Sequence, residues 1–385
     1  MIYLDYNATT PLCTPACEAM QPYLEKHFGN PSSVHRAGRE ARAAIDNARD
    51  QLAALLCAKP HEIIFTSGGT EANNLALLGL AWQNAPNGKH LISSRAEHHA
   101  VLNTLEHLEK KEGFEVTWLD LSCDGLIDPD QLSAAIRPET TLVSIMTANN
   151  ETGVLQPIQE IAACCRDRGV LLHSDMVQSF GKLTTSARPT CDAASFAAHK
   201  FYGPKGAGFL YLRSGLPIEP IQFGGAHEGR RRPGTENVAA IAGMAAAAQF
   251  INDNPPNEFA LRDKLADGIA EIFPESEGNG AAAPRLGNTL NVSFPGFSSE
   301  TLLMALDLEG ICASSGSACM VGSVVASHVL LAMGLPLERA ASAVRFSLGK
   351  ENTEEEIKET LSALRRIRER QLTRTAAARP EHALV

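Results

Sequence analysis

No apolar run in the 385 residues approaches the roughly 18 that a membrane-spanning helix requires, which excludes a helical membrane protein. A basic surplus is missing as well. The net charge of −10 argues against broad affinity for nucleic acid or anionic membranes. The opening "MIYLDYNATTPL" carries Asp5 early and has no basic start or apolar block. No secretory signal is expected from it, and cytoplasmic residence is the default expectation. The nine cysteines contain no CxxC pair: Cys13 and Cys17 are four apart, and Cys164 adjoins Cys165. They show no disulfide or metal framework, so most read as small core residues. Neither GxxxxGK[ST] nor GxGxxG occurs where a phosphate loop is expected, so a phosphate bound here need not belong to a nucleotide. No internal repeat is visible.

With 44% hydrophobic and 20% charged residues, the chain reads as an ordinary globular protein of about two domains. Its first part reads as extended chain or loop, ending in the turn "FGNPSSVH" (28–35). A helix follows, because Ala37, Ala41, Ala44, Ile45, Ala48, Leu52, Leu55 and Leu56 recur at three- and four-residue steps. Strand and helix patterns then alternate, with strands at 62–66, 90–94, 141–147, 170–175 and 193–198. That alternation predicts an α/β sandwich with a mainly parallel sheet. An Ala-rich helix (237–251) ends at "NDNPPN", the candidate domain hinge. Further helices are expected around Leu261–Ile272 and over "TEEEIKETLSALRRIRERQ", whose acidic start and basic end suit the helix dipole. "NTLNVSF" (288–294) reads as a strand between them.

Ligands of open α/β sheets gather at the carboxyl ends of the strands, and three polar groups fall there. "TSGGTEANN" (66–74) joins a strand to a helix: Gly68 and Gly69 permit close backbone approach, Thr70 offers a hydroxyl, and the helix start offers N–H groups. A plain helix cap has the same composition. "LLHSDMVQ" ends a strand at Asp175, which could cap the next helix or pair with a protonated ring nitrogen, with Gln178 in reach of the same ligand. "AAHKFYGPKG" sets Lys200 after a small-residue strand, beside His199. A lysine there is either a surface residue or a desolvated amine able to form a Schiff base. Together, the three meet the needs of pyridoxal phosphate: a lysine for its aldehyde, an acid for its ring nitrogen and a helix start for its phosphate. Two features stand apart. Arg230, Arg231 and Arg232 form either a solvated loop or an anion or interface site. Cys319, in "SSGSACMVG", sits among small residues as though on a tether.

The segments "LDYNATTPL", "FGNPSSVH", "FTSGGTEANN", "AEHHAVL", "NNETGVLQPI", "SFAAHKFYGPKGAG", "GTENV", "NTLNVSF", "SSGSAC" and "VRFSLG" occur in one order between about residues 2 and 365. In this the chain resembles the cysteine desulfurases, class-V pyridoxal-phosphate enzymes of aspartate-aminotransferase-like fold. It is similar to the branch that supplies sulfur for iron–sulfur and nitrogenase clusters. The resemblance implies a large cofactor-binding domain over 15–253, and a smaller α+β domain from 1–14 with 254–385. It implies that Lys200 carries the cofactor and moves protons at the substrate Cα. His98 would stack on the ring and serve in acid–base steps. Asp175 would pair with the ring nitrogen, Gln178 with the ring hydroxyl, and Asn150 would lie near that oxygen and the substrate. Gly69, Thr70 and His199 would bind phosphate, and Thr235 would reach the phosphate of the other subunit of a homodimer. Arg345 would clamp the carboxylate of L-cysteine. Cys319 would take the substrate sulfur as a persulfide, leave alanine, and deliver the sulfur to an acceptor or scaffold protein. No metal is implied.

Four departures accompany the resemblance. Ala197 and Ala198 precede His199 where the family has a serine hydroxyl for the phosphate. Met176 follows Asp175 in place of a small residue, with Val177 expected to face the ring. Pro233 stiffens the "RRRPGTEN" loop. Val324, Val325, Ala326 and Ser327 make the segment after the cysteine more apolar, which bears on the choice of acceptor. A selenocysteine lyase or another class-V enzyme is the alternative activity, and a catalytically silent sulfur-transfer scaffold is the alternative class.

Overall fold

Strands covered on both faces need near-continuous apolar or small side chains, and the central strands of this chain meet that need. The computed structural model describes residues 1–183, 188–255, 257–315 and 326–377. Strand β1 (Ile2–Tyr3) opens the chain, followed by α1 (Thr14–Glu25) and α2 (Arg36–Leu55). Alternation begins with β2 (Ile63–Thr66), α3 (Gly69–Asn84), β3 (His90–Ser94), α4 (His99–Glu112) and β4 (Glu115–Leu119). It continues through α5 (Pro129–Ala135), β5 (Thr140–Ser144), α6 (Ile158–Arg168) and β6 (Leu171–Asp175). Strands β7 (Ala193–Ala197) and β8 (Gly208–Leu212) complete a seven-stranded sheet of order β2-β8-β7-β6-β5-β3-β4. All its neighbours pair in parallel except β8, which is antiparallel to both β2 and β7. The mainly parallel sheet expected from the sequence is therefore present.

The chain then runs through α7 (Val238–Asp253), α8 (Phe259–Ile272), β9 (Glu277–Gly278), β10 (Thr289–Ser293), α9 (Ser299–Leu308) and β11 (Ile311–Cys312). It closes with α10 (His328–Ala332), α11 (Leu337–Ala341), β12 (Ala343–Ser347) and α12 (Glu354–Ala377). Strands β12-β10-β9 form a second, antiparallel sheet. It shares an apolar core with α8, α9 and α12, built on Leu265, Phe273, Phe294, Phe346 and Leu364. Strand β1 pairs in parallel with β11, and Asp5 bridges to Ser347, so the N-terminal residues join the C-terminal part of the chain.

One expectation is corrected. The chain before residue 35 is not all extended, because α1 occupies Thr14–Glu25. Pro15 opens this helix and Pro22 interrupts its pattern, so periodicity alone did not mark it. Tertiary contact holds it instead. A Cβ placed on Gly243 of α7 would lie 2.5 Å from Met20 Cγ, so the two helices approach as closely as a glycine allows. Strands β4 and β8 are likewise additions to the strands expected; β4 lies at the edge of the sheet, where Glu115 is exposed and Thr117 and Trp118 are half-buried, so no continuous apolar run marks it.

Strand direction decides where the chemistry collects. Because β8 is antiparallel to both neighbours, β2 runs the same way as β6 and β7, and the three carboxyl ends open on one edge. Thr66 and Ala197 both lie opposite Gly208 in register, and Asp175 lies opposite Ser195. The glycine turn, the strand-end acid and the lysine are thus delivered to one place.

Beneath that edge, His173 of β6 is fully buried, bonded to Ser144 Oγ at 2.9 Å and Ser195 Oγ at 3.0 Å. Burial pushes its pKa down to about 3. The unfolded chain therefore takes up this proton first. The resulting stability is complete above the unfolded value of about 6.5 and is lost as pH falls toward the folded value. Between about pH 7 and pH 5 the wild type should lose about 2 kcal/mol of unfolding free energy through this residue. In His173→Gln that part of the acid sensitivity should vanish, as measured by urea unfolding at the two pH values.

Candidate active site

Helix α3 begins without a side-chain cap: its N-cap is Gly68, which has no side chain to accept from the N–H groups of the first turn. Such a helix start attracts an anion. A Cβ on Gly69 would lie 2.8 Å from Val177 Cγ2, so only glycine lets this backbone pass the wall of the site. Glu71, in the same turn, bends back to accept from Ser67 N at 2.7 Å and pairs with Arg232 at 2.7 Å. Burial works against the Glu71 charge, but the bonds from Arg232 and Ser67 outweigh it and bring the carboxyl below its ordinary value. The arginine run is therefore not simply solvated. Arg232 ties the 230–236 loop to the anion-binding turn, and Arg231 donates to Glu228 O at 2.9 Å.

A cavity of about 310 Å³ opens beside this turn. Its walls include Gly69, Thr70, His98, Asn150, Asp175, Gln178, His199, Lys200 and Arg345, nine of the positions singled out in the sequence. Asp175 is 6% exposed, accepting from Asn73 Nδ2 at 2.7 Å and from the Val177 N–H at 2.9 Å. Lys200 Nζ donates to the main-chain oxygens of Asn7 and Ala8, each at 2.7 Å. Gln178 Nε2 donates to Asn7 O at 2.9 Å. Val177 faces the cavity, whereas Met176 packs against the main core.

The histidines differ in what they offer. His98 caps α4, its Nδ1 accepting from Ala100 N at 3.1 Å, which leaves the proton of the neutral ring on Nε2. Burial pushes His98 below its ordinary pKa; Asp175 opposes this and Lys200 adds to it. His199 Nδ1 lies 3.2 Å from Thr9 Oγ1, and burial followed by Lys200 pushes its pKa down to about 4. Both rings are neutral at pH 7. Arg345 is 3% exposed; its outer nitrogens donate to Asp5 Oδ1 at 2.7 Å and Asn150 O at 2.9 Å. Its Nε, also buried, has no partner among the described residues.

One described residue to which the resemblance gives a cofactor contact is not among the cavity walls. Thr235 is exposed on the loop after Pro233 and does not line this cavity. Cys319, with Val324 and Val325, lies outside the described residues.

Several residues at the site had no individual signal in the sequence. Asn7 and Asn73 sit inside quoted segments as ordinary polar residues, yet both are 1% exposed and hold Lys200 and Asp175 respectively. His99, Glu151 and His328 also line the cavity. The rings of His99 and His328 lie 4.5 Å apart at a tilt of 37°, His328 Nε2 meets Glu97 O at 3.0 Å, and Ser327 Oγ donates to the buried Glu151 carboxyl. Burial raises the Glu151 pKa. For Asn7, the one available cue was its position two residues after Asp5 in a polar stretch that continues a strand.

Comparison with known proteins defines the class first. The family model "Aminotransferase class-V" matches residues 2–360, and the chain belongs to this family and, within it, to the cysteine desulfurases. The chain is 45% identical to the cysteine desulfurase IscS of Dictyoglomus turgidum, over 96% of this chain and 95% of that one. It is 44% identical to the cysteine desulfurase IscS of Methanosarcina thermophila, over 94% of this chain and 91% of that one. Among solved structures it is similar to a NifS-like protein (TM-score 0.88, 35% identity, 95% of this chain and 98% of that one). It is also similar to SspA in complex with cysteine (TM-score 0.81, 36% identity, 90% of this chain and 99% of that one).

The family depends on pyridoxal phosphate, and the residues present fit that group. An amine, a carboxylate held by two hydrogen bonds and an uncapped helix start face one cavity, with Gly69 where any side chain would intrude. The buried and unpartnered Arg345 Nε supplies a further donor for an acidic ligand. Ala197 also lines the cavity, 3.4 Å from a Cβ built on Gly69, so a hydroxyl at this position would stand beside the helix start. Ala197→Ser should add one charge-assisted hydrogen bond and lower the dissociation constant of pyridoxal phosphate about tenfold. Fluorescence titration of the cofactor-free protein would measure it, and an equal constant for both proteins refutes the missing-hydroxyl argument.

Proposed function

We propose that the protein converts L-cysteine to L-alanine, holding the removed sulfur as a persulfide on Cys319 and passing it to an acceptor protein for iron–sulfur cluster assembly or related sulfur metabolism. One observation carries this reading: Lys200, Asp175, His98 and Arg345 line a single cavity of about 310 Å³, and both ends of the cysteine-bearing segment are pinned there. On one side, Ser314 and Arg345 exchange main-chain hydrogen bonds, at 3.1 Å and 2.6 Å. On the other, His328 is itself part of the cavity wall and Ser327 is bonded to Glu151.

When bound, the cofactor supplies an electron sink for the substrate carbons. The side chains do the rest. Lys200 would hold the cofactor through Nζ and move the proton at the substrate Cα. Asp175, kept in place by Asn73 and the Val177 N–H, would hold the proton of the ring nitrogen. Gln178 would donate to the ring oxygen, and Gly69, Thr70 and the neutral His199 to the phosphate. Arg345 would bind the substrate carboxylate, using the Nε–H that its other contacts leave over. Asn150 stands beside it, its carbonyl oxygen accepting from both Asn7 and Arg345. His98, a ring of the cavity wall whose Nδ1 is held by the Ala100 N–H, would give or take a proton at the substrate. The Cys319 thiolate attacks the substrate sulfur; the bond between that sulfur and Cβ breaks, its electron pair stays with the carbon, and protonation there completes alanine.

The same reading makes the protein a cytoplasmic homodimer in which Thr235 reaches the phosphate of the partner subunit. Its support is the exposure of Thr235 together with the Arg232–Glu71 pair, which links the 230–236 loop to an anion-binding turn. It also divides the chain into a cofactor-holding domain (15–253) and a second domain (1–14 with 254–385). No helix among the described residues is long and apolar enough to cross a membrane.

Alanine and sulfide formed from L-cysteine with a thiol reductant, together with one additional sulfur on Cys319 by mass spectrometry, are the expected results. Cys319→Ser should keep the visible absorption of the loaded protein yet release no alanine. Lys200→Ala should lose that absorption. Normal turnover by Cys319→Ser overturns the persulfide assignment, and an unchanged visible band in Lys200→Ala places the cofactor on another amine.

A further inference from the structure

Lys182 lies in "QSFGK", seven residues after Asp175, and it is not in the wall of the main cavity. Its Nζ donates to Asn7 Oδ1 at 2.8 Å and to Gln178 Oε1. A lysine ammonium has donors and no acceptor. Both amides therefore turn their oxygens toward Lys182. For Gln178 this directs Nε2 the other way, where one N–H is bonded to Asn7 O at 2.9 Å and the second is left over on a side chain that lines the cavity. For Asn7 it directs Nδ2 to Asn150 O at 3.1 Å and Thr289 Oγ1 at 2.9 Å, while Asn288 Nδ2 joins Lys182 at Oδ1 at 3.1 Å. The main-chain carbonyl of the same residue accepts separately from Lys200 Nζ at 2.7 Å.

We propose that Lys182 is a positioning residue: it fixes the Gln178 amide with an N–H toward the phenolic oxygen of the cofactor. This rests on the cofactor reading above. Without Lys182 the Gln178 amide is free to reverse and present an acceptor to an ionised oxygen, which repels it. The Asn7 side chain loses one of the two donors that orient its oxygen.

The surroundings weaken the charge of Lys182 but leave its donor role. Burial, and after it the charges of Lys200 and Arg345, push Lys182 well below the usual lysine pKa, with Glu258 opposing, and an amine in either state keeps the two N–H groups that the two amide oxygens accept. Lys182 and Lys200 share the wall of a second, water-sized cavity of about 20 Å³, which Tyr6, Tyr202, Glu258 and Lys350 also face. On the other side Lys200 faces His98, Asp175, His199 and Arg345 across the main cavity. Removing Lys182 takes away the donor that fixes the Gln178 amide. Losing the N–H that this amide offers makes a phenolic oxygen less readily ionised, so a proton shared with it is retained to higher pH.

The test uses the full-length protein and pyridoxal phosphate as the probe. Lys182→Met should raise the cofactor dissociation constant about tenfold and raise the pH midpoint of the visible band by about one unit. Lys182→Arg, which keeps a donor-only cation, should restore both to within about twofold and a few tenths of a unit. In a Gln178→Ala background, Lys182→Met should change affinity by less than about twofold, because the amide it orients is gone. Should Lys182→Met fail to fold by circular dichroism, Lys182→Gln carries the same expectations. Unchanged affinity and midpoint in the folded variant overturn the proposal. So does an equal loss of affinity with and without Gln178, which marks general damage. If Lys200→Ala loses the visible band while Lys182→Met matches wild type, only the role of Lys182 falls. If the wild type gives no such band, the cofactor reading falls and this proposal with it.

Discussion

The main-chain carbonyl of Asn7 is the point on which the site depends. It accepts from Lys200 Nζ and from Gln178 Nε2, while the Asn7 side chain meets Lys182, Asn288, Thr289 and Asn150 O. At 1% exposure these polar groups have no water to fall back on. A buried polar group left without a partner costs about 1–3 kcal/mol, so a network of this kind holds one arrangement or none. Asn7 stays buried because β1 pairs with β11 and the Asn7 N–H is bonded to Ser347 Oγ at 2.9 Å. The first residues of the chain thus work at the centre of the molecule.

The walls of the site follow the same logic of supported polar groups. Asp175 is placed by its strand and kept by Asn73 and the Val177 N–H. His98 is placed by the start of α4 and polarised by the Ala100 N–H. Arg345 is placed by β12, opposite Asn291 in register, and braced by Asp5. Each chemical group at the cavity therefore has a second residue behind it, and the elements supplying those second residues are far apart in sequence. Close packing lets them meet: Gly69 passes Val177, and Gly243 lets α1 seat against α7.

Much of this was legible in the residues themselves. The alternation of apolar strands with amphipathic helices implied the mainly parallel sheet, and strand-end positions singled out Asp175, Lys200 and the glycine turn before any contact was known. Elements with broken patterns were harder. Helix α1 carries Pro22 in its interior, and β4, at the sheet edge, mixes exposed Glu115 with half-buried Thr117 and Trp118. Asn7, Asn73 and Lys182 were illegible for a different reason. An amide or a lysine has no pattern of its own, and its role is set wholly by what it touches. The arginine run stood open between a solvated loop and a binding site until Glu71 was seen to hold Arg232.

By itself the sequence determined the kind of chemistry. The spacing of glycine turn, acid and lysine along alternating strands is local information, and local patterns survive in one dimension. Which edge of the sheet those groups share, which way each amide points and which carbonyl meets the lysine were decided only by the tertiary structure. Strand direction, the return of the N-terminal segment beside β12 and the exclusion of water are properties of the folded chain, and no window of sequence contains them.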